Sequence, residues 1–358
     1  MIDLRSDTAS KPTPGMLEAI VNAAVGDEQL REDPTVNELE RRAARTLGQE
    51  DSVFVPTATM ANEIALRVLG QPGDELIAEE NAHILIAELG GPAVHAGLMT
   101  RPLPARAGRF TPEQVRAAAR KGDLGHVPTT RIVAVENTHN SSGGRVWPLD
   151  ELKAMAETCR ELELYLHIDG ARLFNASVAS GETPSTIAGL ADTVTICFSK
   201  GLGCPLGAIV AGSSERMLLA RRFKHQFGGA MRQAGIVAAA CVYALDHHVE
   251  RLAEDHARAR RLAEGLHETG VPVDLEQVET NFVQIDVGAL DMPETAAIER
   301  LLGEGVRVSG TPLPGVLRAV THLGITDDDI ENALEAIPRA LGAQPRSPAT
   351  KNAPATTP

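Results

Sequence analysis

Between about residue 50 and residue 212 the chain repeats one pattern: a short apolar run, then apolar positions at helical spacing, then another apolar run. The runs at 52–55, 75–78, 93–98, 131–136, 164–169, 193–198 and 207–211 read as buried strands. Helix starts are marked between them. Thr111-Pro112-Glu113 sets a cap before a first-turn proline, and Pro148-Leu149-Asp150-Glu151 opens another helix. Strands alternating with helices predict a mostly parallel sheet covered on both faces. Ligands of such sheets bind at the carboxyl ends of the strands.

The pattern changes after residue 231. A long helix is expected over 232–266, with small residues at 234–240 suited to close packing. Apolar segments follow at 271–275 and 282–287, then a helix near 293–302 and strands near 306–309 and 317–321. Thr326 and Asp329 form a capping box for the last helix. This predicts a large α/β domain over 1–246, a smaller α+β domain over 247–342, and a disordered polar tail over 343–358. No internal repeat is visible.

Composition narrows the partners more than the chemistry. A formal charge of -14 argues against nucleic acid or an anionic membrane surface, and no apolar stretch is long enough to span a bilayer. The N-terminus is too polar for a secretory signal. Cys159, Cys197, Cys204 and Cys241 form no metal-binding spacing and read as reduced thiols. The expectation is a cytoplasmic protein that holds no metal.

Two segments following apolar runs carry the chemistry: Asp169-Gly170-Ala171-Arg172 and Ser199-Lys200-Gly201-Leu202-Gly203. A strand-end lysine is more often a solvated surface residue, and an aspartate there more often a turn former. Together, at the ends of two buried strands, they supply what pyridoxal phosphate needs: an amine for a Schiff base and a carboxylate for the ring nitrogen. Glycines beside the lysine let backbone approach a bulky group. Thr57-Ala58-Thr59, between a strand and a helix, offers amides and hydroxyls to a phosphate. His83, after another strand, is placed to lie over the ring.

These segments, with Ile2-Asp3-Leu4-Arg5-Ser6-Asp7-Thr8, Asp33-Pro34-Thr35, Ala61-Asn62, Glu136-Asn137-Thr138-His139-Asn140, Met231-Arg232-Gln233 and Arg318 with Val320-Thr321-His322, occur in the order found in low-specificity L-threonine aldolases. The chain resembles that family, within the threonine aldolase and β-eliminating lyase group, over nearly its whole length short of the tail. The resemblance implies fold type I (aspartate aminotransferase-like) and retro-aldol cleavage of β-hydroxy-α-amino acids to glycine and an aldehyde. It implies Lys200 as the Schiff-base lysine, Asp169 on the ring nitrogen, and Thr57, Ala58 and Thr59 on the phosphate. His83 would stack on the ring, and His126 would lie near the reacting hydroxyl, either one being a candidate base. Arg172, beside the cofactor, would join Ser6 and Arg318 in clamping the substrate carboxylate. Arg232 would reach a neighbouring subunit's phosphate region, in a homodimer or homotetramer with shared sites.

Departures from the family are local. Gln29-Leu30-Arg31-Glu32 replaces an aromatic-plus-glycine segment, Leu85 and Ala87 stand where aromatics are usual, and Ala58 and Ala230 replace glycines. His225 takes the place of a basic residue. Lost aromatic bulk predicts a roomier pocket for the β-substituent. Other readings are β-elimination or transaldolation on the same cofactor, or a non-catalytic sensor. His247-His248 reads as a solvated face.

Overall fold

The computed structural model describes residues 1–122 and 125–343; the expected tail, from residue 344 on, lies outside the described residues. Its strands are β1 (Ile2–Asp3), β2 (Asp51–Val55), β3 (Glu75–Glu79), β4 (Met99–Leu103), β5 (Thr130–Glu136), β6 (Tyr165–Gly170), β7 (Thr193–Cys197), β8 (Ala208–Gly212), β9 (Phe282–Asp286), β10 (Val306–Arg307), β11 (Ser309–Gly310) and β12 (Val316–Val320). Seven of them form one sheet in the order β2-β8-β7-β6-β5-β3-β4. From β7 through β6, β5 and β3 to β4 the pairs are parallel, and only β8 runs against its neighbours. β7 and β8 are buried along their whole length, as strands covered on both faces must be.

Two expectations are corrected. The segment 93–98 is not a strand. Gly90-Gly91-Pro92 starts a helix, Gly91–Ala96, which Gly97 ends in the left-handed conformation, and the strand follows at β4. The helix expected over 232–266 is two, Gly235–His247 and Leu252–Glu268, so the chain can turn from the large sheet into the small unit. The apolar run 271–275 is a loop packed against the second core.

One core fills the space between the large sheet and its helices. A second gathers residues from 259 to 341 around the antiparallel β11-β12-β9 sheet. Ile2 and Leu4 belong to the second core, because β1 pairs in parallel with β10. The first residues therefore run from the small unit to the large sheet, carrying Ser6, Asp7 and Ser10 past the strand ends.

Candidate active site

The carboxyl ends of β3, β5, β6 and β7 carry the candidate residues to one edge of the sheet. Register sets Glu136 of β5 opposite Asp169 of β6. Asp169 is 2% exposed. Its Oδ2 accepts a 2.9 Å hydrogen bond from Asn62 Nδ2, and its Oδ1 accepts one from the Ala171 amide. Asn62 comes from the helix Ala58–Leu69 and also donates to Glu88 Oε1, 2.9 Å away. Its Oδ1 faces His167 Nε2 at 3.3 Å. Burial lowers the His167 pKa to about 4, so His167 is neutral and donates that bond.

His83 opens the short helix His83–Ile86 and is half-buried. Its backbone N–H donates to Glu136 Oε2 at 2.7 Å, and its Nδ1 lies 2.7 Å from Glu88 Oε1. The bond to Glu88 raises its pKa against the cost of burial; Asp169 adds to the rise and Lys200 opposes it. His83 thus feels the carboxylate and the amine together. One ligand-type atom each from His83, Glu88 and Asp169 lies within 4.8 Å of the others.

Lys200 sits in the turn after β7. Its carbonyl accepts from the Gly203 amide at 2.8 Å and lies 2.6 Å from the Ser10 hydroxyl. Gly203 has φ of 77°, and a Cβ there would meet Leu323 at 2.6 Å, so this turn requires glycine. His248 is buried and donates from Nδ1 to the Leu202 carbonyl at 2.7 Å, which corrects the expectation of a solvated histidine. The lysine loop is thereby fastened from both sides.

Beside it lies a cationic cluster. Arg172 makes two 2.7 Å bonds to Asp7, and both groups are almost fully buried. Arg318 donates from Nη1 to Asn140 Oδ1 (2.9 Å) and from Nε to Ser309 Oγ (2.9 Å). Both guanidiniums lie over the Phe282 ring, at 4.8 and 5.8 Å from its centroid. Burial and the neighbouring Arg172 charge lower the Arg318 pKa. Ser6 lies next to Asp7, its Oγ accepting from the Thr8 amide at 3.2 Å.

Thr57 caps the helix Ala58–Leu69, its hydroxyl accepting from the Met60 amide, and the amides of Ala58 and Thr59 belong to the first turn, without intrahelical partners. Two residues stand apart. His126 is exposed in a turn before β5, the length of a seven-residue strand from Glu136. Arg232 is exposed, its Nη1 2.9 Å from Asp27 Oδ2. The sequence reading omitted Asn62, Glu63, Glu88, Asp7 and Asn140 as site residues. Asn62, Asp7 and Asn140 lay inside quoted motifs and could have been found there. Glu63 and Glu88 follow in apolar surroundings, and an acidic residue in such a segment was the available signal.

A buried, hydrogen-bonded carboxylate, a strand-end lysine and a helix N-terminus fit pyridoxal phosphate, and the sheet order defines the class: a fold-type-I, aspartate aminotransferase-like architecture. Aspartate aminotransferase of Thermus thermophilus superposes with a TM-score of 0.72 at 20% identity, covering 95% of this chain and 91% of that one. The threonine aldolase of Leishmania major superposes at 0.83, with 21% identity and coverage of 95% and 100%. The model of the beta-eliminating lyase family matches residues 3–289, and the chain belongs to that family. It is 41% identical over 332 residues to the low specificity L-threonine aldolase of Escherichia coli, covering 92% of this chain and 96% of that one. It is 36% identical over 345 residues to low-specificity L-threonine aldolase 1 of Arabidopsis thaliana, with coverage of 95% and 96%.

Proposed function

We propose that this protein is a pyridoxal-phosphate-dependent carbon–carbon lyase that cleaves L-threonine, L-allo-threonine or related β-hydroxy-α-amino acids to glycine and an aldehyde. The observation that supports it most is the buried Asp169 carboxylate, held by Asn62 and near His83, with Lys200 in the turn after the adjacent strand β7. When bound, the coenzyme supplies an electron sink for the pair released as Cα–Cβ breaks. Lys200 provides the amine that holds it, and Asp169 keeps its ring nitrogen protonated. Thr57, Ala58 and Thr59 receive its phosphate at the helix N-terminus.

Arg318 receives the substrate carboxylate, with Ser6 and Arg172 bordering the same place. Arg172 is already neutralised by Asp7, so Arg318 contributes the uncompensated charge. Fixing the carboxylate would set which bond at Cα is presented for cleavage, and that orientation selects the bond to break. His83 takes the β-hydroxyl proton at Nε2, since Nδ1 is engaged by Glu88. The exposed Ala87 and the neighbouring Leu85 leave room for a β-substituent larger than methyl.

Arg232, exposed on one chain, acts across a subunit boundary in a homodimer or homotetramer. Among the described residues no helix is long and apolar enough to cross a membrane. The four cysteines are buried and unpaired, as suits a cytoplasmic enzyme. The test is to incubate the coenzyme-loaded protein with L-threonine, L-allo-threonine, phenylserine and L-serine and quantify products. Glycine with the matching aldehyde, lost in Lys200→Ala together with the coenzyme's visible absorbance, is expected. Pyruvate from serine without glycine from threonine would assign β-elimination instead. A strong preference for threonine over phenylserine would defeat the roomy pocket.

A further inference from the structure

Behind His83 lies a second carboxyl pair that the retro-aldol reaction does not use. Glu63 follows Asn62 on the helix Ala58–Leu69, and Glu88 lies between the short helices His83–Ile86 and Gly91–Ala96. Glu63 is 2% exposed and Glu88 5%. Neither oxygen of Glu63 has a hydrogen-bond donor, and neither does Glu88 Oε2. The Glu63 carboxyl reaches the turn that carries Glu88, where the Gly91 amide donates to the Glu88 carbonyl at 2.9 Å. Gly91 walls in Glu63 so closely that a Cβ there would stand 2.0 Å from Glu63 Oε1. Two neighbouring buried carboxylates without donors cannot both stay ionised, and acceptors alone cannot satisfy each other.

We infer that Glu63 and Glu88 hold one proton between them, and that this pair positions His83. Glu63 keeps the proton and donates it to Glu88 Oε2; Glu88 remains anionic and accepts from Asn62 and from His83 Nδ1–H. The proton on Nδ1 leaves Nε2 as the nitrogen with a free lone pair. Burial and the facing Glu88 hold the Glu63 carboxyl well above the usual carboxylate range, in agreement with this assignment. Other charged groups near His83 are Asp169, Lys200, and Glu136 on its backbone amide. Glu63 is a positioning residue: it acts on His83 through Glu88. The arrangement gives the imidazole an anionic partner on one side without placing two negative charges beside Asp169.

The inference rests on His83 as the group that faces substrate, but its test needs no turnover, so its failure and the failure of the aldolase reading are separable. Infrared difference spectra of the resting, coenzyme-loaded protein at neutral pH should contain a carboxylic-acid carbonyl stretch that Glu63→Gln removes. Glu63→Met serves the same subtraction if the glutamine variant does not fold. The His83 imidazole, followed by NMR with labelled histidine, should titrate about one pH unit lower in Glu88→Gln, which removes the anion. It should keep its midpoint in Glu63→Gln, where the amide N–H replaces the acid O–H as donor. Absence of a Glu63-dependent acid band overturns the proposal. So does a His83 midpoint that moves as far in Glu63→Gln as in Glu88→Gln.

Discussion

The two halves of the site are out of charge balance in opposite directions. On the acidic side, Asp169 and Glu88 flank His83, Glu63 stands behind Glu88, and Glu136 lies between His83 and His139; on the clamp side, Arg172 is paired with Asp7 while Arg318 meets only the neutral Asn140 and Ser309. Burial makes either surplus expensive, and each is relieved differently. The acidic side keeps a proton and draws on the Asn62 amide. The basic side is half-relieved by Asp7 and leaves Arg318, the residue proposed to receive the substrate carboxylate, without a counter-ion. A surplus that the protein quenches internally is a positioning device, whereas one left open is a binding specification.

Substitutions can break that contrast. The largest effect is expected for Asp7→Asn. It strands the Arg172 charge, and removing one partner of a buried pair costs about 3–5 kcal/mol. Arg172 and Lys200 depress the Asp7 pKa against burial. The wild-type advantage over Asp7→Asn should therefore be constant above about pH 4 and shrink as pH falls below it, read from thermal midpoints against pH. An advantage independent of pH down to the acid limit would show that Asp7 is not the balancing charge.

Arg318→Leu should leave stability nearly unchanged, because the residue gives up repulsion from Arg172 along with its hydrogen bonds. It should raise KM for the amino acid about 100-fold while the coenzyme's visible absorbance persists. Stability loss equal to that of Asp7→Asn would erase the distinction between a quenched and an open charge.

On the acidic side, Glu63 has a raised pKa, so the folded state binds more protons than the unfolded state above the ordinary glutamate range. Its contribution to stability falls as pH rises, by up to about 1.4 kcal/mol per pH unit. Glu63→Gln should flatten that decline in chemical unfolding measured from pH 5 to 8, and identical slopes would count against a retained proton. The smallest effect is expected for Ser309→Ala, which removes one bond from Arg318 Nε. It should raise KM a few-fold, in keeping with about 1 kcal/mol for such a bond.

The strand-end motifs were readable because a buried parallel strand must be nearly all apolar and its functional residue must come at the end. Asp169 and Lys200 stand out against that background. The segment 93–98 misled because its apolar content fits a buried helix as well as a strand, and only the flanking Gly90-Gly91-Pro92 and Gly97 decide between them. His248 was misread because a histidine in a polar-looking helix gives no sign of the carbonyl it meets. Leu202, 46 residues earlier in the chain, is brought to it by the lysine loop.

By itself the sequence determined the alternation of strand and helix, the order of the chemical motifs and the candidate amine and carboxylate. These depend on local periodicity and on residue type, both of which survive in one dimension. Tertiary structure alone decided that Asp7 neutralises Arg172 and leaves Arg318 open. It also decided that Asn62 joins Asp169 to Glu88, and that Glu63 stands behind Glu88. Charge balance in a buried site is a sum over near neighbours in space, and those neighbours lie far apart in the chain, 165 residues for Asp7 and Arg172 and 178 for Asn140 and Arg318.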